Sequence, residues 1–126
     1  FHIYLLVQEY VMDEKLSKAL EFANYTRTFE DQRRLLKERY FDSLVFFNSG
    51  GQFTVSKELI SFVNLLLEKE TASVLLDDND NPVMIDNLQL FYDNIINLYF
   101  QSSNEYHTKL HELKTKRSIE KLVEYE

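Results

Sequence analysis

The chain has 126 residues, of which 44% are hydrophobic and 28% charged, with only two glycines and one proline, a balance typical of one folded helical domain. A formal net charge of −7 argues against general binding to a nucleic-acid backbone, and the absence of cysteine excludes disulfides, thiolate nucleophiles and sulfur-ligated metal sites, which fits a reducing cytoplasm. No stretch approaches the roughly 20 apolar residues that a membrane-spanning helix needs, so no membrane association is expected.

The first eleven residues precede a methionine that is well placed to begin the protein. Met12 opens the phrase Met12-Asp13-Glu14-Lys15-Leu16, which resembles a natural start that leads into a helix. We therefore predict that residues 1–11 are an upstream extension or a segment added by cloning. Residues 12–126 are expected to form a single helical domain.

A long helix is predicted from Asp13 to Phe47, because no Gly or Pro interrupts this range and its apolar residues recur at helical spacing. The weakest point is Thr26–Thr28, where Thr28 could cap a second helix. One helix and two helices both remain open, and one is favoured. Asn48–Gly51 is expected to end the helix, since glycine readily adopts the left-handed conformation of a helix C-cap.

The middle of the chain predicts a short strand followed by a helix. Gln52–Val55 is the strand, and the Ser56 hydroxyl can cap the helix by accepting a backbone N–H. The apolar residues of this helix cover a wide face, so we expect the helix to be largely buried. They are Leu59, Ile60, Phe62, Val63, Leu66 and Leu67.

A β-hairpin is predicted next. Ala72–Leu76 and Val83–Ile85 flank Asp77–Pro82, a run of residues that favour turns through side-chain-to-backbone hydrogen bonds and a fixed φ. Asp86 can then cap a second long helix that continues to about Arg117, and Ser118 can cap a short final helix.

These elements predict a mainly α fold with a minor β-hairpin, in the α+β class. Two long antiparallel helices flank a small helix-plus-hairpin insertion, with residues 13–34 beside roughly 100–117. The apolar parts of the long helices, 35–47 and 88–100, are then expected to meet at the end that carries the hairpin and the short helix.

The helix between Leu88 and Phe100 is apolar over most of its circumference, and Tyr92, Tyr99 and Tyr106 recur at sevenfold spacing. Packing within one monomer and contact with a second copy both account for this surface. We expect a homo-oligomer, with a dimer favoured, and an unidentified protein partner is also compatible. The predicted self-association surface comprises Tyr92, Ile96, Tyr99, Phe100 and Tyr106.

Two basic clusters support an alternative function, a small regulator that binds nucleic acid. One cluster is Arg33, Arg34 and Lys37, and the other is Lys114, Lys116 and Arg117. Solvated charges paired along a helix account for both clusters more simply, because the chain is acidic and has no nucleic-acid-binding motif. Nucleic acid is therefore not the favoured partner.

Metal and catalytic sites receive little support. His107 and His111 are spaced to share one helix face, but two residues alone specify no metal geometry, and Glu105, Glu112 or a distant acidic residue would have to supply the remaining ligands. Asp77–Asn81 is rich in oxygen ligands, yet Pro82 and Leu88 occupy the positions where a calcium loop needs Gly and Glu. Because no nucleophile or dinucleotide motif is present either, we predict no catalytic residue, no metal and no cofactor, and a protein that is not an enzyme.

The stretch Gly50–Phe62, together with Asp77–Val83, resembles short uncharacterised proteins of marine tailed bacteriophages, cyanophages in particular. The likeness covers Met12 to the C-terminus and carries no functional motif, so it transfers no catalytic or binding residue. It implies a virus-encoded protein made in a bacterial cytoplasm. The leading hypothesis is a non-enzymatic interaction or assembly protein that acts through apolar and aromatic helix surfaces.

Overall fold

A computed structural model describes the backbone of residues 2–125 and the side chains of residues 12–118. The fold is mainly helical with two small antiparallel hairpins, which confirms the predicted class. The elements are α1 (His2–Ser43), β1 (Val45–Asn48), β2 (Gly51–Thr54), α2 (Lys57–Leu67), β3 (Ser73–Leu76), β4 (Pro82–Ile85) and α3 (Leu88–Tyr125).

Helix α1 is a single helix through Thr26–Thr28. The Thr28 hydroxyl donates to the Asn24 carbonyl at 2.8 Å, one turn earlier, instead of capping a new helix. The prediction that the helix continues to Phe47 is wrong, because α1 ends at Ser43 and the chain enters β1 at Val45.

The early end of α1 is explained by a hairpin that the sequence analysis did not predict. Strand β1 pairs antiparallel with β2, with Val45 opposite Thr54 and Asn48 opposite Gly51. Ser49 and Gly50 have φ values of 52° and 83°, and positive φ at both central residues is the pattern of the type I′ turns that join two-residue hairpins. Asn48–Gly51 is therefore a hairpin turn and not a helix C-cap.

Helix α2 begins as predicted, with the Ser56 hydroxyl accepting the Leu59 N–H at 3.1 Å. The expectation that α2 is largely buried is wrong. Val63 alone is fully buried, and Leu59, Ile60, Leu66 and Leu67 are half-buried against the core. Phe62, the sixth residue of the predicted face, is 51% exposed.

The hairpin of β3 and β4 is confirmed, with Val74 opposite Met84 and Leu76 opposite Pro82. Helix α3 begins at Leu88, and its cap is Asn87, whose Oδ1 accepts the Leu90 N–H at 3.0 Å; the prediction of an Asp86 cap is wrong by one residue. The predicted break at Ser118 is also wrong, because α3 continues to Tyr125.

The chain divides into two compact units, residues 1–35 and residues 36–126. The first is most of α1. The second contains the end of α1, both hairpins, α2 and α3, and it contains the core. The expected meeting of the apolar parts of the long helices is confirmed only in part, because α3 contributes Leu88, Phe91 and Ile95 to the buried core whereas α1 contributes only the half-buried Tyr40. The predicted pairing of 13–34 with 100–117 spans the two units and stays a prediction. The buried core residues are Leu44, Phe53, Val55, Val63, Leu75, Val83, Ile85, Leu88, Phe91 and Ile95.

A candidate protein-binding surface

The β3–β4 hairpin is apolar on both faces. Leu75, Val83 and Ile85 are at most 8% exposed and belong to the core. The opposite face is also apolar, and its residues are exposed: Val74 by 51%, Leu76 by 64% and Met84 by 53%, together with Pro82. We call Val74, Leu76, Pro82 and Met84 the outer face. Because cross-strand neighbours pair Val74 with Met84 and Leu76 with Pro82, the outer face is one contiguous apolar patch, and such patches mark interaction sites.

The two edges of this hairpin differ. The Asp77 N–H donates to the Asn81 carbonyl at 3.0 Å, and hydrogen-bonded pairs in antiparallel strands alternate. The backbone groups of Val74 and Leu76 therefore point away from β4, along the outer edge of β3. Pro82 lies at the matching edge of β4 and has no N–H to offer. Within residues 12–118 the only partner of this edge between Ser73 and Leu76 is the Ser73 hydroxyl, which donates to the Val74 carbonyl at 3.4 Å. The edge is open as far as Leu76, because the Asp78 N–H that follows donates to the Gln52 carbonyl of β2.

The edge of β2, by contrast, is closed by the acidic turn between β3 and β4. The Asp77 Oδ2 accepts the Gln52 N–H at 3.2 Å, and the Asp78 Oδ1 accepts the Thr54 N–H at 3.0 Å. The Asp78 Oδ2 also accepts the Thr54 hydroxyl at 2.6 Å, and the Asp78 N–H donates to the Gln52 carbonyl at 2.8 Å. The two carboxylates thus take the place of a neighbouring strand and join the hairpins.

Asp77 is also the centre of its own turn. Its Oδ1 accepts the N–H groups of Asn79 at 3.0 Å and Asn81 at 2.9 Å, and the residue is only 7% exposed. The pKa of the Asp77 carboxyl lies below its ordinary value of 3.8, chiefly because the Asn81 N–H donates to it. Burial raises this pKa, while the N–H groups of Gln52 and Asn79 lower it further. Backbone amides therefore stabilise the charge of the Asp77 carboxylate.

The predicted self-association residues on α3 have different environments. Tyr92 and Tyr99 are half-buried and pack against the core, and Ile96 is half-buried beside them along the helix. Tyr106 stacks on Tyr40 with ring centroids 5.0 Å apart. Phe100 is 57% exposed, so it is the member of this set most accessible to a partner.

The predicted basic clusters lie mainly at the surface. Arg33 and Arg34 belong to the first unit and are exposed, with Arg34 paired to Asp31 at 3.7 Å. The other members belong to the second unit: Lys37, Lys114 and Lys116 are exposed and Arg117 is half-buried. His107 and His111 are exposed as well, and no group of three or more potential ligands is placed to hold a metal ion in the described part of the chain.

A small cavity of about 130 Å³ lies between the last turns of α1 and the middle of α3. Stacked Tyr40 and Tyr106 form part of its wall, and the Lys109 ammonium on its rim is paired with the Glu105 carboxylate at 2.9 Å. The lining includes two serines, and the Ser43 hydroxyl donates to the Tyr40 carbonyl at 2.6 Å. Its lining residues are Leu36, Arg39, Tyr40, Ser43, Ser102, Glu105, Tyr106 and Lys109.

The strands of the outer face were predicted from the sequence, but the exposed apolar face was not. The available signal was the lack of alternation in Val74-Leu75-Leu76 and Val83-Met84-Ile85, because consecutive apolar residues in a strand place apolar side chains on both faces. The hydrogen bonds from β2 to Asp77 and Asp78 could not be predicted from nearby residues, since β2 lies about 25 residues earlier in the chain.

Comparison with known proteins yields no relative. No protein-family model matches the chain, and no curated protein and no solved structure resembles it significantly. Within the described residues, no helix is both long and apolar enough to cross a membrane.

Proposed function

We propose that this chain is a non-enzymatic assembly protein that associates with copies of itself through exposed apolar helix surface. One observation carries the proposal. Among residues 12–118, fourteen large apolar side chains are exposed, and ten of these belong to the helices. Exposed apolar side chains gain free energy when a partner covers them.

The exposed residues of α1 form the most regular of these surfaces. Met12, Leu16 and Leu20 are 70%, 61% and 56% exposed, and their spacing of four residues places them along one side of the helix. Contact with the same stripe of a second copy would bury all three and stabilise the helix. On α3, Phe100 is the corresponding exposed residue of the predicted self-association surface.

The experiment is light scattering after size-exclusion chromatography of the full chain over a wide range of protein concentrations. We expect a homo-oligomer, with a dimer favoured, whose mass falls toward that of the monomer in Leu16→Lys or in Phe100→Lys. The matched controls are Ser17→Lys and Gln101→Lys, which introduce the same charge at exposed neighbouring positions. Circular dichroism verifies that each variant keeps its helix content.

The outcome that contradicts the proposal is a monomer at every concentration. An oligomer that both lysine variants leave intact would also contradict it, because the assembly would then use other surface. A bacteriophage source and a cytoplasmic location remain predictions from the sequence.

A further inference from the structure

The outer face lies in the most acidic part of the chain. Between Leu44 and Phe100 eight carboxylates are accompanied by only two lysines. Asp78 and Asp80 are exposed at the turn end of the β3–β4 hairpin. Glu70 and Asp86 are exposed at the other end, where Ser73 pairs with Ile85 and the Leu88 N–H donates to the Thr71 carbonyl at 3.0 Å. Carboxylates therefore bracket the apolar patch on both sides.

This charge argues against a second copy as the occupant of the outer face. A two-fold contact between two hairpins would bring the carboxylates of one copy against those of the other, and like charges at an interface oppose association. A cationic partner would instead gain attraction at both ends of the patch. The partner of the outer face is therefore expected to differ from the second copy of the chain that we propose binds the helix surfaces.

The backbone indicates the form of that partner. The free edge of β3 offers the N–H groups of Val74 and Leu76 and the Leu76 carbonyl, and the same two residues carry the exposed side chains of the outer face. An extended segment that pairs with this edge would continue the sheet, and its apolar side chains would extend the apolar patch.

We propose that the β3 edge and the outer face bind an extended, cationic and apolar polypeptide segment, which adds as a third strand to the β3–β4 hairpin. Four strand residues span about 13 Å, so Lys or Arg residues just outside the paired part meet Asp80 at one end and Glu70 or Asp86 at the other. Val, Ile or Leu residues of the segment pack beside Val74 and Leu76. This inference concerns a surface other than the helices of the proposed assembly and does not depend on that assembly.

The test measures the fluorescence anisotropy of a labelled probe peptide, Lys-Lys-Val-Thr-Val-Thr-Val-Lys-Lys, titrated with the full chain. We expect saturable binding at low salt that weakens by roughly tenfold or more at high salt. Two control peptides are expected to bind at least about tenfold more weakly: one with Glu for every Lys, and one with Pro for every Thr, which keeps the charge but blocks strand pairing.

Variants of the chain locate the site. Asp80→Asn combined with Asp86→Asn is expected to weaken the binding of the lysine peptide by roughly three- to tenfold, since surface charges contribute modestly to binding. Asn also tolerates the positive φ of 60° at position 80. The matched control is Asp13→Asn with Asp42→Asn, which removes the same charge from α1 and should leave binding unchanged. Leu76→Pro removes an outward N–H of the β3 edge and is expected to abolish the binding.

Three results would each overturn the inference: no saturable binding of the lysine peptide, equal binding of the proline peptide, or equal weakening by the α1 control. The proposed assembly is judged separately by the mass of the chain. A chain that is monomeric and binds the lysine peptide would contradict the proposed assembly and support the peptide-binding site. A chain that is oligomeric and does not bind the peptide would support the assembly and contradict the site.

Discussion

At the scale of single residues, Asp77 and Asp78 show how an acidic turn can be a structural device. Between them they accept backbone N–H groups from two hairpins, and Asp77 does so while almost fully buried. A carboxylate is suited to this position because it is an acceptor at both oxygens, and hydrogen bonds to a charged acceptor are stronger than neutral ones. The unpaired edge of β2 is covered in the process.

The stability of the fold should therefore depend on the ionisation of Asp77. Because its folded-state pKa is lower than its unfolded-state pKa, the stabilisation is complete above the unfolded value of about 3.8 and is lost as the pH falls through the folded value. We expect Asp77→Asn to be less stable at neutral pH, since its amide places an N–H₂ against the N–H of Gln52 or of Asn81. Its free energy of unfolding should also change less than that of the wild type below about pH 4.

Urea denaturation at a series of pH values measures both effects. Asp80→Asn is the control, because the Asp80 side chain accepts no hydrogen bond among those found in residues 12–118 and its backbone conformation suits Asn. Parallel pH profiles for the wild type and Asp77→Asn would show that the turn does not depend on this charge.

At the scale of elements, the sequence correctly predicted the boundaries of helices and strands that are determined by residues close to them in the chain. Ser56 and the Asp77–Pro82 turn were predicted correctly because each acts on groups a few residues away. The strand at Val45–Asn48 was missed, since Leu36, Tyr40, Leu44 and Phe47 also fit a helix and only pairing with β2 decides between the two.

Packing between the hairpins is equally invisible to a local pattern. A Cβ on Gly51 would lie 2.7 Å from the Val83 Cγ2, so the close approach of β2 to β4 requires glycine there. The candidate site could likewise be predicted only in part. The exposed outer face follows from the composition of the strands, whereas the closed β2 edge and the open β3 edge depend on contacts made only in the folded chain.

The start of α3 permits a prediction at this scale, because the sequence suggested Asp86 as the N-cap whereas the structure has Asn87 in that position. Asn87→Ala removes the acceptor of the Leu90 N–H and is expected to cost about 1 kcal/mol of unfolding free energy. Asp86→Ala, the matched neighbour, removes only a charge near the helix N-terminus and is expected to cost about 0.3–0.5 kcal/mol. Thermal and urea unfolding of both variants measure the difference in unfolding free energy. A larger loss of stability in Asp86→Ala than in Asn87→Ala would show that Asp86 is the N-cap.

At the scale of the whole molecule, the two units differ in how much they bury. From residue 12 to 35 every side chain is exposed except Tyr25 and Phe29, which are half-buried. Among the residues whose side chains are described, all ten buried apolar residues belong to the second unit. Since helices in water depend on packing for most of their stability, the first unit is expected to open more readily than the core.

Hydrogen exchange followed by mass spectrometry measures this contrast directly. At low protein concentration, we expect amides in residues 12–35 to exchange with an opening free energy of roughly 0–2 kcal/mol, while amides around Leu88–Ile95 exchange only through global unfolding. If assembly covers the Met12–Leu20 stripe, a higher concentration should slow exchange in α1 and leave the core unchanged, because binding stabilises only what it covers. Leu16→Lys should remove the concentration dependence and Ser17→Lys should keep it. Equal protection of both regions at the lowest concentration would instead mean that α1 owes its stability to contacts within one chain, and the stripe would lose its place as the surface of assembly.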